Sequence, residues 1–213
     1  MKIIIGISGN QGSGKTTLAI EIAGHYKDIN FEPTTISKTL KENGVLKLGD
    51  FNSFEEFLKL QIEIYKIIKQ QILSLDKDIF ILDRTFVDIY VYTVSQINES
   101  AAKEMQNNPL LNSLLEEFLS VLLKEQQILF NFVIYIDEAI TYTDEKTAKL
   151  RGSLNQIYLN KMLVIQQSIV SNISKQNFAK VKNTTEKNTI KDQSLVALKT
   201  YFDKEYNVNS STT

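Results

Sequence analysis

The chain has 213 residues, of which 43% are hydrophobic, and this is enough material for a single globular domain with a buried core. It contains no cysteine, carries a formal net charge of −1, and lacks any run of about 18 apolar residues. These features exclude a disulfide framework, argue against general nucleic-acid binding and predict no membrane span. The apolar start of the chain is too short for a signal peptide, so we expect a cytoplasmic protein.

Apolar runs that fit buried strands alternate with stretches of helical periodicity along the chain. Strands are predicted over residues 2–8, 29–35, 78–84, 129–137 and 177–183. Helices are predicted over 15–26, 54–73, 86–97, 109–127, 153–173 and 190–203, the second of them capped by Asn52 or Ser53. Residues 98–108 are expected to form a polar connection and residues 207–213 a disordered polar tail. The alternation predicts the α/β class, with a mostly parallel five-stranded sheet and helices on both faces.

Polar and charged residues follow three of the predicted strands. Residues 9–16 follow the first strand, Asp83 and Arg84 close the third, and Asp137 and Glu138 close the fourth. Ligands of parallel sheets bind outside the carboxyl ends of the strands. We therefore expect these three segments to share one edge of the sheet and to form the functional site there.

The segment GNQGSGKT after the first strand fits the P-loop pattern G-x-x-x-x-G-K-[ST], with a buried strand before it and an amphipathic helix after it. Glycines in such a loop let backbone N–H groups face an anion, and the helix N-terminus adds a favourable dipole. Lys15 is expected to reach the β- and γ-phosphates of ATP, and the Thr16 hydroxyl to bind Mg²⁺. The predicted ATP-binding residues are Gly9, Asn10, Gln11, Gly12, Ser13, Gly14, Lys15, Thr16 and Thr17. The predicted fold is accordingly the three-layer P-loop NTPase sandwich.

Three further segments resemble the thymidylate kinases and the related deoxynucleoside kinases. They are FEPTT at 31–35, FILDRTFVDIYVY at 80–92 and VIYIDEAITYTDEKTAKLRG at 133–152. Those families carry a Glu-Pro element after the second strand, an Asp-Arg or Glu-Arg-Ser sequence after the third, and a lid with an arginine after the fourth. The resemblance implies one P-loop kinase domain over residues 1–206, with a lid around 138–152.

The resemblance also implies a role for each matching residue. Asp83 would orient or deprotonate the acceptor, directly or through a water on Mg²⁺, so Thr16 and Asp83 are the predicted metal-binding residues. Arg84 would bind phosphate oxygens as a bidentate fork, and Arg151 would close from the lid. The implied catalytic set is Lys15, Asp83, Arg84 and Arg151, and the implied acceptor-binding set is Glu32, Gln61, Arg84, Asp88 and Tyr92. Arg84 and Arg151 are the chain's two arginines, and a chain that otherwise uses lysine is expected to keep arginine for such forks.

The sequence leaves the class of acceptor open. The implied activity is transfer of the γ-phosphate of ATP–Mg²⁺ to a (deoxy)nucleoside monophosphate, as in thymidylate kinases, and the alternative acceptor is a (deoxy)nucleoside. Thymidylate kinases place an arginine before the Glu-Pro element, where this chain has Phe31, and their extra lid or P-loop arginines are missing here. These departures favour the nucleoside, whereas the form of the Asp-Arg segment favours the monophosphate. Members of these families are commonly dimers, so a homodimer is also implied.

Two other classes of function compete with this interpretation. A kinase acting on a polynucleotide end or a modified base is disfavoured by the acidic charge balance. A P-loop ATPase or nucleotide switch would use Asp137 and Glu138 as its Walker B pair, with Glu138 polarising water. The chain is short for an AAA-type module with a second helical part and lacks a clear N-K-x-D motif. Whether Asp83 or Asp137 is the main acid at the metal remains open from sequence.

Overall fold

The computed structural model describes residues 2–10, 12–34, 51–76, 78–137, 156–173, 177–182 and 187–210. Its centre is a sheet made of β1 (Ile3–Ser8), β2 (Ile29–Glu32), β3 (Ile79–Leu82), β4 (Phe132–Ile136) and β5 (Asn177–Val181). The strand order is β2-β3-β1-β4-β5, and every neighbouring pair is parallel. The predicted α/β class and five-stranded parallel sheet are therefore confirmed.

Helices connect the strands and cover both faces of the sheet. In the described part of the chain they are α1 (Lys15–His25), α2 (Phe54–Ser74), α3 (Phe86–Ser95), α4 (Glu99–Asn107), α5 (Pro109–Leu129), α6 (Gln156–Asn172) and α7 (Lys187–Ser210). None of these described helices combines the length and the apolar character that crossing a membrane requires.

Side chains of β1 alternate between two hydrophobic cores, because successive residues of a strand point to opposite faces. Ile3, Ile5 and Ile7 belong to the core that α1 and α7 cover. Ile4 belongs to the core under α2, α3, α5 and α6. A strand buried on both faces needs apolar residues at every position, which explains the unbroken apolar run in the sequence. The outcome is the predicted three-layer arrangement.

The segment predicted as a polar connection over residues 98–108 contains helix α4. The Asn98 side chain caps this helix by accepting the Ala101 backbone N–H at 2.9 Å, and Ala101 is its buried residue. A single buried alanine gives little apolar periodicity, so the helix is hard to detect from sequence. The Glu104 carboxylate accepts the backbone N–H groups of Phe54 and Glu55 at 2.7 and 3.0 Å, in the first turn of α2. Helix α4 therefore stabilises the start of α2.

Several element ends also differ from the expected ones. Ser53 caps α2, and its Oγ accepts the Glu56 backbone N–H at 3.1 Å, which selects one of the two predicted caps. Strands β2 and β3 end earlier than predicted, at Glu32 and Leu82. Helix α7 continues to Ser210, so the predicted tail over 207–213 overlaps the last turn of a helix, and residues 211–213 lie outside the described part.

We predict that Gly6→Ala destabilises the protein by about 1–3 kcal/mol through overpacking. A Cβ at Gly6 would lie 2.5 Å from Thr85 Cγ2 and 2.8 Å from the Phe130 ring, on the tightly packed face of β1. Gly24→Ala is the matched control, because no atom lies within 4 Å of its Cβ position in α1. The control should stabilise the protein by about 0.5–1 kcal/mol, since alanine is the better helix former. Chemical denaturation measures both, and a Gly6→Ala protein as stable as wild type would contradict the packing described.

Candidate functional site

The P-loop turns from the end of β1 into α1 through glycines that the geometry requires. Gly12 and Gly14 have φ angles of +82° and +83°, a region that side chains with a Cβ rarely adopt. A Cβ at Gly9 would lie 2.8 Å from Ser13 Oγ, so this glycine is needed for close packing within the loop. Thr17 is exposed in the first turn of α1, and Gln11 lies outside the described residues.

Lys15 lies across the mouth of this loop. Its side chain is 8% exposed, and its Nζ donates to the backbone oxygens of Gly9 and Asn10 at 2.6 and 2.9 Å. The same Nζ is 3.9 Å from Asp88 Oδ1. The loop thus holds the Lys15 ammonium group against its own backbone oxygens, and the contact of Lys15 with phosphates stays a prediction.

The structure brings the side chain of Thr16, in the first turn of α1, into contact with the side chain of Asp83, which directly follows β3. Thr16 Oγ1 donates to Asp83 Oδ2 at 2.6 Å. The other carboxylate oxygen, Oδ1, accepts both the backbone N–H and the hydroxyl of Thr34, at 3.1 and 3.0 Å. Sequence reasoning missed Thr34, although it directly follows the Glu-Pro element. Because the Thr16 hydroxyl donates its proton to Asp83, the lone pairs of its oxygen remain available to a cation.

Asp88 joins the P-loop to the start of α3. Its Oδ2 accepts the backbone N–H and the hydroxyl of Thr85 at 2.7 and 3.0 Å, which completes a capping box at the start of α3. Its Oδ1 accepts the Gly9 backbone N–H at 3.2 Å and lies near Lys15. Both oxygens are therefore engaged within the protein, and Asp88 holds the P-loop against the start of α3.

Gln126 is a second residue that sequence reasoning missed. It is fully buried in α5, and its Oε1 accepts the backbone N–H groups of Phe86 and Val87 at 2.9 and 3.3 Å. These are among the first N–H groups of α3, which have no partner within their own helix. The available signal is the position of Gln126 on the otherwise apolar stripe of α5 that carries Leu115, Phe118 and Leu122.

The Arg84 guanidinium lies close enough to the Tyr92 phenol for its charge to act on it. Burial raises the pKa of the Tyr92 phenol, its proximity and hydrogen bond to Tyr158 raise it further, and the positive charge of Arg84 opposes the rise. The phenol therefore stays protonated across the neutral range. The Tyr92 ring also packs against Phe57 of α2, with ring centroids 6.0 Å apart.

Glu32 and Gln61 occupy different environments. Glu32 ends β2, and its Oε1 accepts from Gln71 Nε2 at 3.3 Å. Gln61 is 2% exposed on the buried face of α2, and its Nε2 is buried without a hydrogen-bond partner. Gln61 lies one turn from Phe57 and one turn from Tyr65, which pack against Tyr92 and Phe86 of α3. The unpaired amide therefore lies on the face of α2 that meets α3, and buried amides are rarely left unpaired without a reason.

Asp137, the other candidate acid, is turned toward α6. Its Oδ1 accepts from Gln167 Nε2 at 3.0 Å, and its backbone N–H donates to Val181 O at 2.8 Å. Glu138, Arg151 and the lid predicted around 138–152 lie outside the described residues. The acid that meets the P-loop threonine is thus Asp83.

The residues at the loop fit Mg²⁺ bound together with a nucleotide. Within the described residues, His, Cys, Asp and Glu form no group of three or more that would hold a metal ion by themselves. Mg²⁺ at nucleotide sites is usually held by one or two protein oxygens together with phosphate oxygens. Thr16 and Asp83 supply oxygens of this kind, and Lys15 supplies the positive charge beside them.

Comparison with known proteins agrees with this fold. A family model described as AAA domain matches residues 4–115, which is just over half of the 213 residues. No curated protein matches the sequence significantly. Among solved structures, deoxyadenosine kinase from M. mycoides, with the products dCMP and a flexible dCDP bound, is similar with a TM-score of 0.65 at 18% identity. The similarity covers 93% of this chain and 100% of that one.

The NadR protein is similar in two structures. In complex with NR it gives a TM-score of 0.62 at 12% identity, and in complex with NAD and AMP-PNP a TM-score of 0.58 at 14% identity. Each covers 94% of this chain, which in turn spans 50% and 49% of those chains, about half the length of NadR. At such identities the shared feature is the fold. The chain therefore belongs to the AAA domain family and has the fold of the P-loop nucleoside kinases.

Proposed function

We propose that the protein transfers the γ-phosphoryl group of ATP to a hydroxyl group of a nucleoside or deoxynucleoside. The observation that carries this proposal is the 2.6 Å hydrogen bond between Thr16 and Asp83, with Arg84 next in the chain. It puts an acid beside the P-loop, and the Arg84 guanidinium would join it where an acceptor meets the end of a triphosphate. The likeness in fold to deoxyadenosine kinase over that protein's full length supports the same class of acceptor.

The donor site consists of the P-loop and the start of α1. Backbone N–H groups of the loop and the N-terminus of α1 would bind the phosphates, and Lys15 would exchange its contacts with Gly9 and Asn10 for phosphate oxygens. Thr16 and Asp83 would hold Mg²⁺, which would supply positive charge against the negative charge that develops during transfer. Asp88 would keep the loop in place by retaining the Gly9 N–H.

Besides the donor site, the transfer needs a group that accepts the hydroxyl proton and positive charge that binds the phosphoryl oxygens. The acceptor oxygen forms a bond to the γ-phosphorus, the bond from that phosphorus to the bridging oxygen breaks, and ADP leaves. Asp83 would take the hydroxyl proton, and Thr34 would hold its carboxylate in orientation by two hydrogen bonds. Arg84 would bind phosphoryl oxygens, and Arg151 from the lid would add a second guanidinium.

The charge inventory favours a nucleoside over a nucleoside monophosphate. An acceptor with its own phosphate needs further cations, and the chain has two arginines in total, with Phe31 where thymidylate kinases have a third. We therefore place the nucleoside first, whereas the sequence resemblance placed the monophosphate first. The monophosphate stays the alternative acceptor, supported by the form of the segment FILDRTFVDIYVY.

The buried amide of Gln61 is a suitable group for recognising the base. An amide offers a donor and an acceptor side by side, which matches the edge of a nucleobase. Its Nε2 is buried and has no partner, so an acceptor that offers a carbonyl or ring nitrogen would satisfy it. Phe57 and Tyr92, which pack against each other beside Gln61, would provide apolar contacts for a planar ring.

A P-loop ATPase without a small-molecule acceptor is the second candidate. It is favoured by membership of the AAA domain family and by the Asp137–Glu138 pair after β4. Against it, the threonine of the P-loop bonds to Asp83, whereas Asp137 bonds to Gln167. The two candidates predict different essential acids.

We expect Asp83→Asn to lower acceptor-dependent ADP release by about 10²–10⁴-fold, the usual contribution of a general base. Asparagine keeps the shape of the side chain, its oxygen can still accept from Thr34, and its NH₂ group can donate to Thr16 Oγ1, so the fold should survive. Asp137→Asn is the matched control, because it makes the same change at the other strand beside β1 and should leave the rate close to wild type. The measurement is ADP release from ATP–Mg²⁺ with a panel of nucleosides and nucleoside monophosphates.

Three results would change the proposal. ADP release that nucleoside monophosphates stimulate and nucleosides do not would make the monophosphate the acceptor. ATP hydrolysis that no acceptor stimulates, and that Glu138→Gln abolishes, would replace the kinase by the ATPase. An Asp83→Asn protein with full acceptor-dependent activity would remove Asp83 from the mechanism.

Replacing Gln61 with methionine separates recognition from structure. We expect the KM for the acceptor to rise about 3- to 10-fold, the effect of losing one hydrogen bond. The melting temperature should stay the same or rise, because the change removes a buried amide that lacks a partner. Gln70→Met, at an exposed position of α2, is the control. A lower melting temperature with an unchanged KM would assign Gln61 a purely structural role.

A further inference from the structure

The first turns of α6 contact both halves of the proposed site. Asn10 of the P-loop is 1% exposed, and its Nδ2 donates to Leu159 O of α6 at 3.0 Å. The neighbouring residue Tyr158 extends toward α3, where its hydroxyl meets Ser95 and Gln96. One short segment of α6 is thus tied to the nucleotide loop by its backbone and to α3 by a side chain.

The hydrogen bonds at the Tyr158 hydroxyl can be assigned one by one. Ser95 Oγ donates its only proton to Tyr92 O at 2.7 Å, so the 2.9 Å contact between Ser95 and Tyr158 requires the Tyr158 hydroxyl as donor. Gln96 Nε2 donates to the Tyr158 oxygen at 2.7 Å. The Tyr92 hydroxyl also bonds to Tyr158 and takes the remaining lone pair. One donated and two accepted bonds use the full capacity of a phenol.

The groups that Tyr158 holds border the proposed acceptor region. Tyr92 is the tyrosine whose phenol is close to Arg84 and whose ring packs against Phe57. Gln96 and Phe57 both line a polar pocket of about 240 Å³ between the first turns of α2 and α4. Fixing the Gln96 amide therefore fixes part of the pocket wall, and fixing Tyr92 supports Phe57, which lines the same pocket.

A second contact keeps this part of α6 against the end of α3. Lys161 Nζ donates to the backbone oxygens of Ser95 and Ile97 at 2.8 and 3.3 Å. A cation at the C-terminus of a helix is stabilised by the free carbonyl groups there. Because Lys161 holds the helices together, loss of the Tyr158 hydroxyl should disturb the side chains around it more than the packing of α3 on α6.

We propose that Tyr158 is a positioning residue for the acceptor, because its hydroxyl fixes Tyr92 and Gln96 and joins them through α6 to the P-loop. The inference rests on the proposed function, since it needs an acceptor that binds beside Arg84 and Tyr92. Burial raises the pKa of the Tyr158 phenol, so it keeps the proton that it donates to Ser95 at neutral pH.

Tyr158→Phe tests the proposal, because it removes the hydroxyl and keeps the ring. We expect the KM for the acceptor to rise about tenfold, with the KM for ATP and the fold unchanged, since several hydrogen bonds at the acceptor wall are lost together. Gln96→Met, which removes the N–H donor from the other side, should raise the same KM. The control is Tyr26→Phe, another half-buried tyrosine, whose hydroxyl bonds to Leu195 O on the far face of the sheet.

The outcomes separate this inference from the proposed function. A wild-type protein that phosphorylates no nucleoside and no monophosphate contradicts both. An active wild type with an unchanged acceptor KM in Tyr158→Phe and Gln96→Met contradicts the role of Tyr158 alone. Equal increases in the KM values for acceptor and ATP would indicate a general structural role and would also overturn it. If Tyr158→Phe does not fold, Gln96→Met decides by the same comparison of the two KM values.

Discussion

The hydrogen bond between the Thr16 hydroxyl and the Asp83 carboxylate is the contact on which the site depends. Parallel pairing of β1 with β3, in which Gly6 lies opposite Leu82, brings the chain after both strands to the same edge of the sheet. The P-loop, which follows β1, and Asp83, which follows β3, therefore lie next to each other. Thr34, which follows β2, completes the arrangement from the other side of Asp83. The segments that follow β1, β2 and β3 thus meet at the Asp83 carboxylate.

Buried polar side chains hold the surroundings of this contact in place. Asp88 binds the loop to the start of α3, Gln126 caps α3 from α5, and Tyr158 holds the other end of α3 from α6. Hydrogen bonds of this kind are stronger in a low-dielectric interior, and an unpaired partner there is costly. The helix that carries Tyr92 is therefore fixed at both ends by side chains from its neighbours. Such rigidity suits phosphoryl transfer, in which positioning supplies much of the rate enhancement.

The sequence predicts the parts of the site that depend on local geometry and leaves out those that depend on distant partners. The P-loop is recognisable because the left-handed backbone at Gly12 and Gly14 requires glycine, and the strands because burial on both faces requires apolar residues throughout. Tyr158 and Ser95 are 63 residues apart, and Gln126 and Phe86 are 40 apart, so no local pattern connects them. The spacing of Asp88 from Arg84 suggested an acceptor contact, and it gave no sign of the contacts with Thr85 and Gly9 that the structure shows. Helix α4 was missed because its buried surface is one alanine and its role is to hold α2.

Topology alone does not decide which acid meets the P-loop. In the order β2-β3-β1-β4-β5, β1 has a neighbour on each side, and each of these strands is followed by an aspartate. The two carboxylates differ in the helix that each of them contacts. Asp137 faces α6, where Gln167 supplies an amide donor, whereas Asp83 faces Thr16 at the start of α1. Gln167 presents an N–H donor to Asp137, which is no ligand for a cation, whereas the Thr16 hydroxyl puts a second oxygen beside the Asp83 carboxylate. Asp83, on the β3 side, is therefore the acid that lies beside the P-loop, and Arg84 follows it directly in the chain.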